Sequence, residues 1–196
     1  MDAEICRVLD ALEATEHLED TVVIFTSDHG EGLGHHQHTH KNRLYEEVLC
    51  VPLLVSWPGQ LPEDVRDETY LNTGLDIFPT VCDFAGVVPP ENLRGQSLRP
   101  VLEGATDVAP DYVVCESNVN QGRMIRTADY KYVAYAGDPV DQLFDMQNDP
   151  GETRNLAAGP EHADVVKEHR DLLVEWESQL EIAPDLRHAD AWWRQG

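Results

Sequence analysis

Residues 21–26, Thr-Val-Val-Ile-Phe-Thr, are an unbroken run of β-branched and aromatic side chains that stops abruptly at Ser27-Asp28-His29-Gly30. A run without polar alternation predicts a strand buried on both faces of a parallel sheet. Ahead of it, Ile5, Val8, Leu9 and Leu12 recur at helical spacing and predict an amphipathic helix over residues 2–16. A helix feeding a buried strand means α/β. A second run, "VPLLVSW" at residues 51–57, is closed by Pro58-Gly59 and predicts another such strand. "LDIFPTVCDFA" at residues 75–85 has helical apolar spacing and carries Pro79 in the early turns, where the missing amide is tolerated.

The pattern changes after about Gly104. Short strand candidates at residues 112–115, 122–127, 130–135 and 142–145 are separated by turn residues, which predicts an antiparallel sheet. A helix follows, with Val165, Val166, Leu172, Leu173, Trp176 and Leu180 on one side. We therefore expect two segments: residues 1–106, part of an α/β core carrying a site loop, and residues 107–196, a small α+β subdomain with a terminal helix. A parallel sheet normally holds about 5–6 strands, and the first segment offers two. With no strand ahead of the first helix, the chain reads as the C-terminal part of a larger α/β enzyme.

At 196 residues and 41% apolar composition, the chain can bury a core. No apolar run approaches the ~20 residues of a membrane span, and residue 1 opens no basic-then-apolar leader, so the expectation is a soluble, cytoplasmic protein. The formal net charge is −23, from 37 acidic and 14 basic residues. Such a charge opposes binding to nucleic acid or anionic membranes. The acids are dispersed rather than gathered in a tail, as on the surfaces of proteins from saline cytoplasm. Cys6, Cys50, Cys82 and Cys115 are widely spaced, form no CxxC pair and read as buried free thiols.

Reactive side chains in open α/β sheets sit where strands end at their carboxyl edge, and Asp28 and His29 follow the first strand directly. A carboxylate and an imidazole at adjacent positions can reach one divalent cation if the backbone turns sharply, which Gly30 permits. Taken alone, the same residues also fit a simple turn and helix cap. Thirteen positions after Asp28 comes Lys41. His35, His38 and His40 converge poorly on a helix and read as a solvated loop rather than a zinc site.

The string "FTSDHGEGLGHH", Lys41 and the following "YEEVLCVPLLVSWPG" resemble the sulfatase family of the alkaline phosphatase superfamily. The resemblance continues, in family order, through "LDIFPTVCDFAG", "LRGQSLRPVLEG", "RMIRTADYKYVAY" and "QLFDMQNDPGETRNLA". It implies an alkaline phosphatase-like mixed sheet and metal-dependent hydrolysis of sulfate esters. Asp28 and His29 would be ligands of a divalent metal, calcium first, with manganese or magnesium as alternatives. Lys41, which would contact the sulfate, and His36, which falls at a family histidine although His35 replaces the usual acid before it, would be the catalytic residues. Arg126, Asp129, Tyr130 and Lys131, and Asp145, Asp149, Pro150, Glu152, Asn155 and Leu156, match elements whose role is structural.

Sulfatases attack with a formylglycine made from the cysteine of Cys-x-Pro-Ser-Arg, and no Cys-x-Pro-x-Arg occurs here. The expectation is a sulfatase-family chain inactive alone, completed by an N-terminal half that is separately encoded or lost. Two alternatives stand beside it: a non-catalytic remnant serving as a binding module, and a phosphonate or phosphate monoester hydrolase.

Overall fold

The structure, a computed structural model, describes residues 1–106, 108–117 and 121–180. In chain order its elements are α1 (Asp2–Ala14), β1 (Val23–Thr26), α2 (Glu46–Leu49), β2 (Leu53–Ser56), α3 (Ile77–Phe84) and α4 (Arg99–Leu102). Then come β3 (Tyr112–Ser117), β4 (Gly122–Thr127), β5 (Tyr130–Tyr135), β6 (Gln142–Asp145) and α5 (Ala163–Ser178). The chain forms two compact units that interleave in sequence: Met1–Asp28 with Val51–Pro110, and His29–Cys50 with Asp111–Gly196. The loop between β1 and β2, which lies among the first 106 residues, thus groups with the second unit.

In the first unit, β1 and β2 pair antiparallel, with Val23 opposite Ser56 and Thr26 opposite Leu53. This corrects the parallel arrangement expected for them. An unbroken β-branched run reports a preference for burial but carries no information about direction. Here the chain leaves β1 and re-enters β2 at the same end, which enforces antiparallel pairing. Neither strand is fully buried among the described residues, and Leu54 is 58% exposed. In α1, Ile5, Leu9 and Leu12 are half-buried and Val8 is exposed, a narrower stripe than the spacing predicts.

α3 begins with a capping box on the 3-10 turn ahead of it: Leu75 N donates to Thr73 Oγ1 (3.2 Å) and Thr73 N to Asp76 Oδ2 (2.7 Å). The other Asp76 oxygen accepts from Gln96 N (2.8 Å). The buried Thr80 hydroxyl donates to Asp76 O (2.6 Å) and accepts from Leu98 N (2.8 Å). The two side chains therefore stitch residues 95–98 to α3. A Cβ on Gly95 would meet Leu75 O at 2.0 Å, so only glycine permits this approach.

The second unit is a four-stranded antiparallel meander, β3-β4-β5-β6, as the alternating sequence predicts. β5 is covered on both faces. Tyr132 and Ala134 pack with Ile125, Leu143 and α5 residue Leu173. On the opposite face Val133 and Tyr135 pack with Met124 and with Leu44 from the β1–β2 loop. Period-two alternation thus hands one β5 face to α5 and the other to the loop. Inside the α5 layer, His169 Nδ1 donates to Val165 O (2.9 Å), and its Nε2 accepts from Thr127 Oγ1 (3.1 Å).

The four cysteines are free, but Cys6 and Cys50 are exposed, contrary to the expectation that all are buried. Each follows or flanks an apolar stripe without lying on it, a distinction that apolar neighbours in sequence do not reveal. Among the described residues no helix is long and apolar enough to cross a membrane.

Candidate active site

Asp28 closes the first unit two residues past β1, and His29 opens the second. From there the chain makes a closed loop whose rungs are backbone bonds: Gly32 N to His40 O (3.1 Å) and Gly34 N to His38 O (2.9 Å). Glu31 reinforces the closure by accepting from His40 N at its carboxylate. Leu33, His36, Gln37 and His40 all take left-handed φ, a concentration of strained backbone that must be held by the closure itself. The loop returns Lys41 to His29, twelve residues earlier, and Lys41 Nζ donates to His29 Nε2 at 2.6 Å. His29 Nδ1 donates to Gly30 O at 2.8 Å. That backbone bond fixes the tautomer, leaving a lone pair on Nε2.

Gly30 matters for a reason other than a turn. Its φ is not left-handed; instead Glu47 O would lie 2.1 Å from an added Cβ. Gly30 N donates to Val48 O (2.7 Å) and Glu31 N to Glu47 O (3.1 Å), so α2 is laid directly against the residues that follow His29.

His36 is held elsewhere on the same unit. Its ring stacks on Tyr45 with centroids 3.9 Å apart, Nδ1 lies 2.8 Å from Glu47 Oε1, and Nε2 is 3.3 Å from Glu152 O. Burial disfavours the imidazolium of His36, but the Glu47 carboxylate outweighs it and the pKa is raised from 6.5. Burial likewise raises Glu47, and the hydrogen bond from His36 outweighs it, leaving the pKa lowered from 4.5. The raised His36 stabilises fully below pH 6.5, and its contribution is lost as pH rises through the folded value; the lowered Glu47 stabilises above pH 4.5, and its contribution is lost on acidification through its folded value. The anchor is therefore strongest between these limits. Thermal unfolding should show wild type losing up to about 1 kcal/mol from pH 6.5 to 8.5, and His36→Gln should flatten that slope. An unchanged slope would remove His36 as its source.

Asp28 and His29 are neighbours in sequence and carry side-chain types that divalent cations accept. Among the described residues no group of three or more His, Cys, Asp or Glu side chains converges to hold one. The histidines at 35, 38 and 40 do not gather either: His38 Nδ1 bonds to His35 O at 2.8 Å.

The groups that hold the loop include Lys131 and Glu152, to which the resemblance gave a structural role without a partner. Lys131, on the β5 face that the loop covers, is fully buried, with Nζ 2.9 Å from Glu46 Oε1 and 2.7 Å from Glu152 Oε1. A signal of its burial was present: in "DYKYVAY" a lysine occupies a position that alternates with Val133 and Tyr135, both core residues. The Glu152 turn is built by its aspartates, with Asp149 accepting from Thr153 N (3.2 Å) and Arg154 N (2.9 Å).

Residues 34–179 match the family described as N-sulphoglucosamine sulphohydrolase, C-terminal. The chain is also 36% identical over 182 residues to the Delta 4,5-hexuronate-2-O-sulfatase of Bacteroides thetaiotaomicron, covering 88% of this chain and 38% of that protein. The chain belongs to the sulfatase family. A solved protein in complex with its substrate D-glucosamine-2-N,6-O-disulfate superposes with a TM-score of 0.82 at 32% identity, over 91% of this chain and 38% of that one. The phosphonate monoester hydrolase of Agrobacterium radiobacter superposes with a TM-score of 0.78 at 30% identity, over 91% of this chain and 39% of that one. This sulfatase-family chain therefore spans about two fifths of the length of such relatives, and its mixed α/β architecture with antiparallel sheets is theirs.

Proposed function

We propose that this chain supplies part of the active site of a sulfuric ester hydrolase: Asp28 and His29 as ligands of a divalent cation, and Lys41 as the cationic contact to the sulfate. The observation that carries this reading is the 2.6 Å approach of Lys41 Nζ to His29 Nε2, made by a closed and strained loop. A solvated surface loop has no need to bring an ammonium group to an imidazole lone pair. The Nδ1 bond to Gly30 O leaves the single ring lone pair on His29 Nε2, and a cation bound there would take that lone pair in place of Lys41, freeing the ammonium to face the sulfate. Asp28 adds a carboxylate, the oxygen type that calcium prefers; magnesium and manganese are the alternatives. Bound there, such a cation would polarise the sulfate as a Lewis acid.

Lys41 in this reading binds sulfate oxygens and offsets the negative charge that grows during departure of the alcohol. Residues 1–196 contain no Cys-x-Pro-x-Arg, so the attacking formylglycine is to be supplied by sequence outside them. His36, clamped by Glu47 and Tyr45, serves to anchor the loop. The sugar sulfate named for the relative's complex makes a sulfated saccharide the first substrate to assay.

The likeness to a phosphonate monoester hydrolase favours one second reading, phosphonate ester hydrolysis. The two separate in a single experiment. The chain, completed with a formylglycine-bearing sulfatase segment, is assayed on matched aryl sulfate and aryl phosphonate esters with and without calcium. Calcium-dependent turnover of the sulfate ester above the phosphonate is the expected result. Preference for the phosphonate would replace the proposal, and absence of both turnover and calcium binding would leave a non-catalytic binding module.

A further inference from the structure

The strongest unexplained feature of the second unit is a buried ion group away from the His29/Lys41 pair. Lys131 and the Glu152 side chain are almost wholly removed from solvent, at 0% and 1% exposure, while Glu46 is 31% exposed. Burying an ammonium with carboxylates is poor economy if stability is the only end, since well-packed apolar replacements are often neutral or better. Glu152 also takes a left-handed φ of 52°, which costs a non-glycine residue free energy.

The bonding pattern shows what the group constrains. α2 is a single turn of four residues, too short to persist unaided. Its N-cap, Tyr45, provides no side-chain cap; Glu152 Oε2 accepts from Glu46 N instead, at 2.7 Å, reaching from a loop 106 residues away. Lys131 grips the Glu46 carboxylate of the same turn. The carbonyls further along α2, Glu47 O and Val48 O, then receive the amides of Glu31 and Gly30. One end of α2 is held by the ion group, and its carbonyls hold the backbone next to His29.

We propose that the Lys131–Glu46–Glu152 group is a positioning device that fixes α2 and, through the Gly30 and Glu31 amides, aims His29 at Lys41. All three are positioning residues, since none touches the His29/Lys41 pair in the bonds described. This inference rests on the reading that the pair is functional, but the aiming can be tested without turnover.

The test uses the full chain and three variants: Lys131→Met, Glu152→Gln, and the apolar triple Lys131→Met/Glu46→Leu/Glu152→Leu. Leu173→Ala, on the α5 face of the sheet, controls for general destabilisation. Two readouts are taken at fixed pH in whichever variants remain folded: the ring-nitrogen NMR shifts of His29, and hydrogen exchange at the Gly30 and Glu31 amides. In triad variants the His29 shifts should move toward tautomer averaging, and both amides should exchange at least about tenfold faster. Leu173→Ala should leave the His29 shifts in place. A folded triad variant with wild-type His29 shifts and exchange overturns the proposal, as does an equal response to Leu173→Ala. If none of the three variants folds, the group is needed for the fold itself and the positioning role is likewise overturned. Intact aiming without sulfate ester turnover, once the formylglycine-bearing segment is supplied, would count against the sulfatase reading instead.

Discussion

Asp28→Ala should lower cation-dependent sulfate ester hydrolysis by about a hundred- to several-thousand-fold, in a catalytically competent form with the formylglycine segment supplied. A divalent cation contributes several kcal/mol of charge stabilisation in a transition state, and each 1.4 kcal/mol is about tenfold in rate. Asp28 and His29 are the two candidate ligands among the described residues, so losing the carboxylate removes half of their share. Calcium affinity, followed by calorimetry on the same protein, should fall in parallel. Asp28→Asn, which keeps one carbonyl oxygen but no charge, should lie between the two. Unchanged affinity and turnover in Asp28→Ala would dismiss Asp28 as a ligand.

Glu152→Ala is expected to destabilise the chain by about 3 kcal/mol, the lower end for breaking a buried pair by removing one partner. The lower end applies because Glu46 stays beside Lys131, yet its side chain is 31% exposed and compensates only part of a fully buried ammonium. The Glu46 amide also loses its 2.7 Å acceptor. For a chain of this size the midpoint of thermal unfolding should drop by roughly 6–12 °C. Burial raises the pKa of Glu152 against the pull of Lys131, the sign of a carboxylate held in poorly hydrated surroundings. Adding Lys131→Met to Glu152→Ala should recover much of the loss, because the uncompensated charge is then gone. A loss within the range of an exposed ion pair, below about 1 kcal/mol, would mean that water reaches the group.

Much of this fold was legible because its elements obey local rules. α3 announces itself by apolar spacing and an early proline, the meander by short runs between turn residues, and α5 by the stripe containing Leu173 and Trp176. The direction of β1 and β2 was not legible, since the composition of a strand says nothing about which way its neighbour runs. Nor was the allegiance of residues 29–50 to the second sheet, which depends on Leu44 meeting Met124 and Val133 across about eighty residues of sequence. At the candidate site, the residue types at 28, 29 and 41 were readable; the contact between His29 and Lys41 depends on left-handed residues such as His36 and His40, which have no sequence signature. Gly30 was noticed for flexibility, whereas its role is to admit a carbonyl. Lys131 and Glu152 were placed in structural elements, but their burial against each other and Glu46 was not legible, because it depends on partners distant in sequence.

The excursion of residues 29–50 out of one compact body and into the other has a practical corollary for anyone dissecting the protein. Neither body is a continuous stretch of polypeptide, so a cut at 110/111 liberates no self-sufficient piece. The C-terminal product would lack the flap that shields Val133 and Tyr135, while the N-terminal product would trail Leu44 and Val48 into water. A soluble miniature of the sheet body should therefore be made by grafting the flap onto it through a new linker, not by trimming.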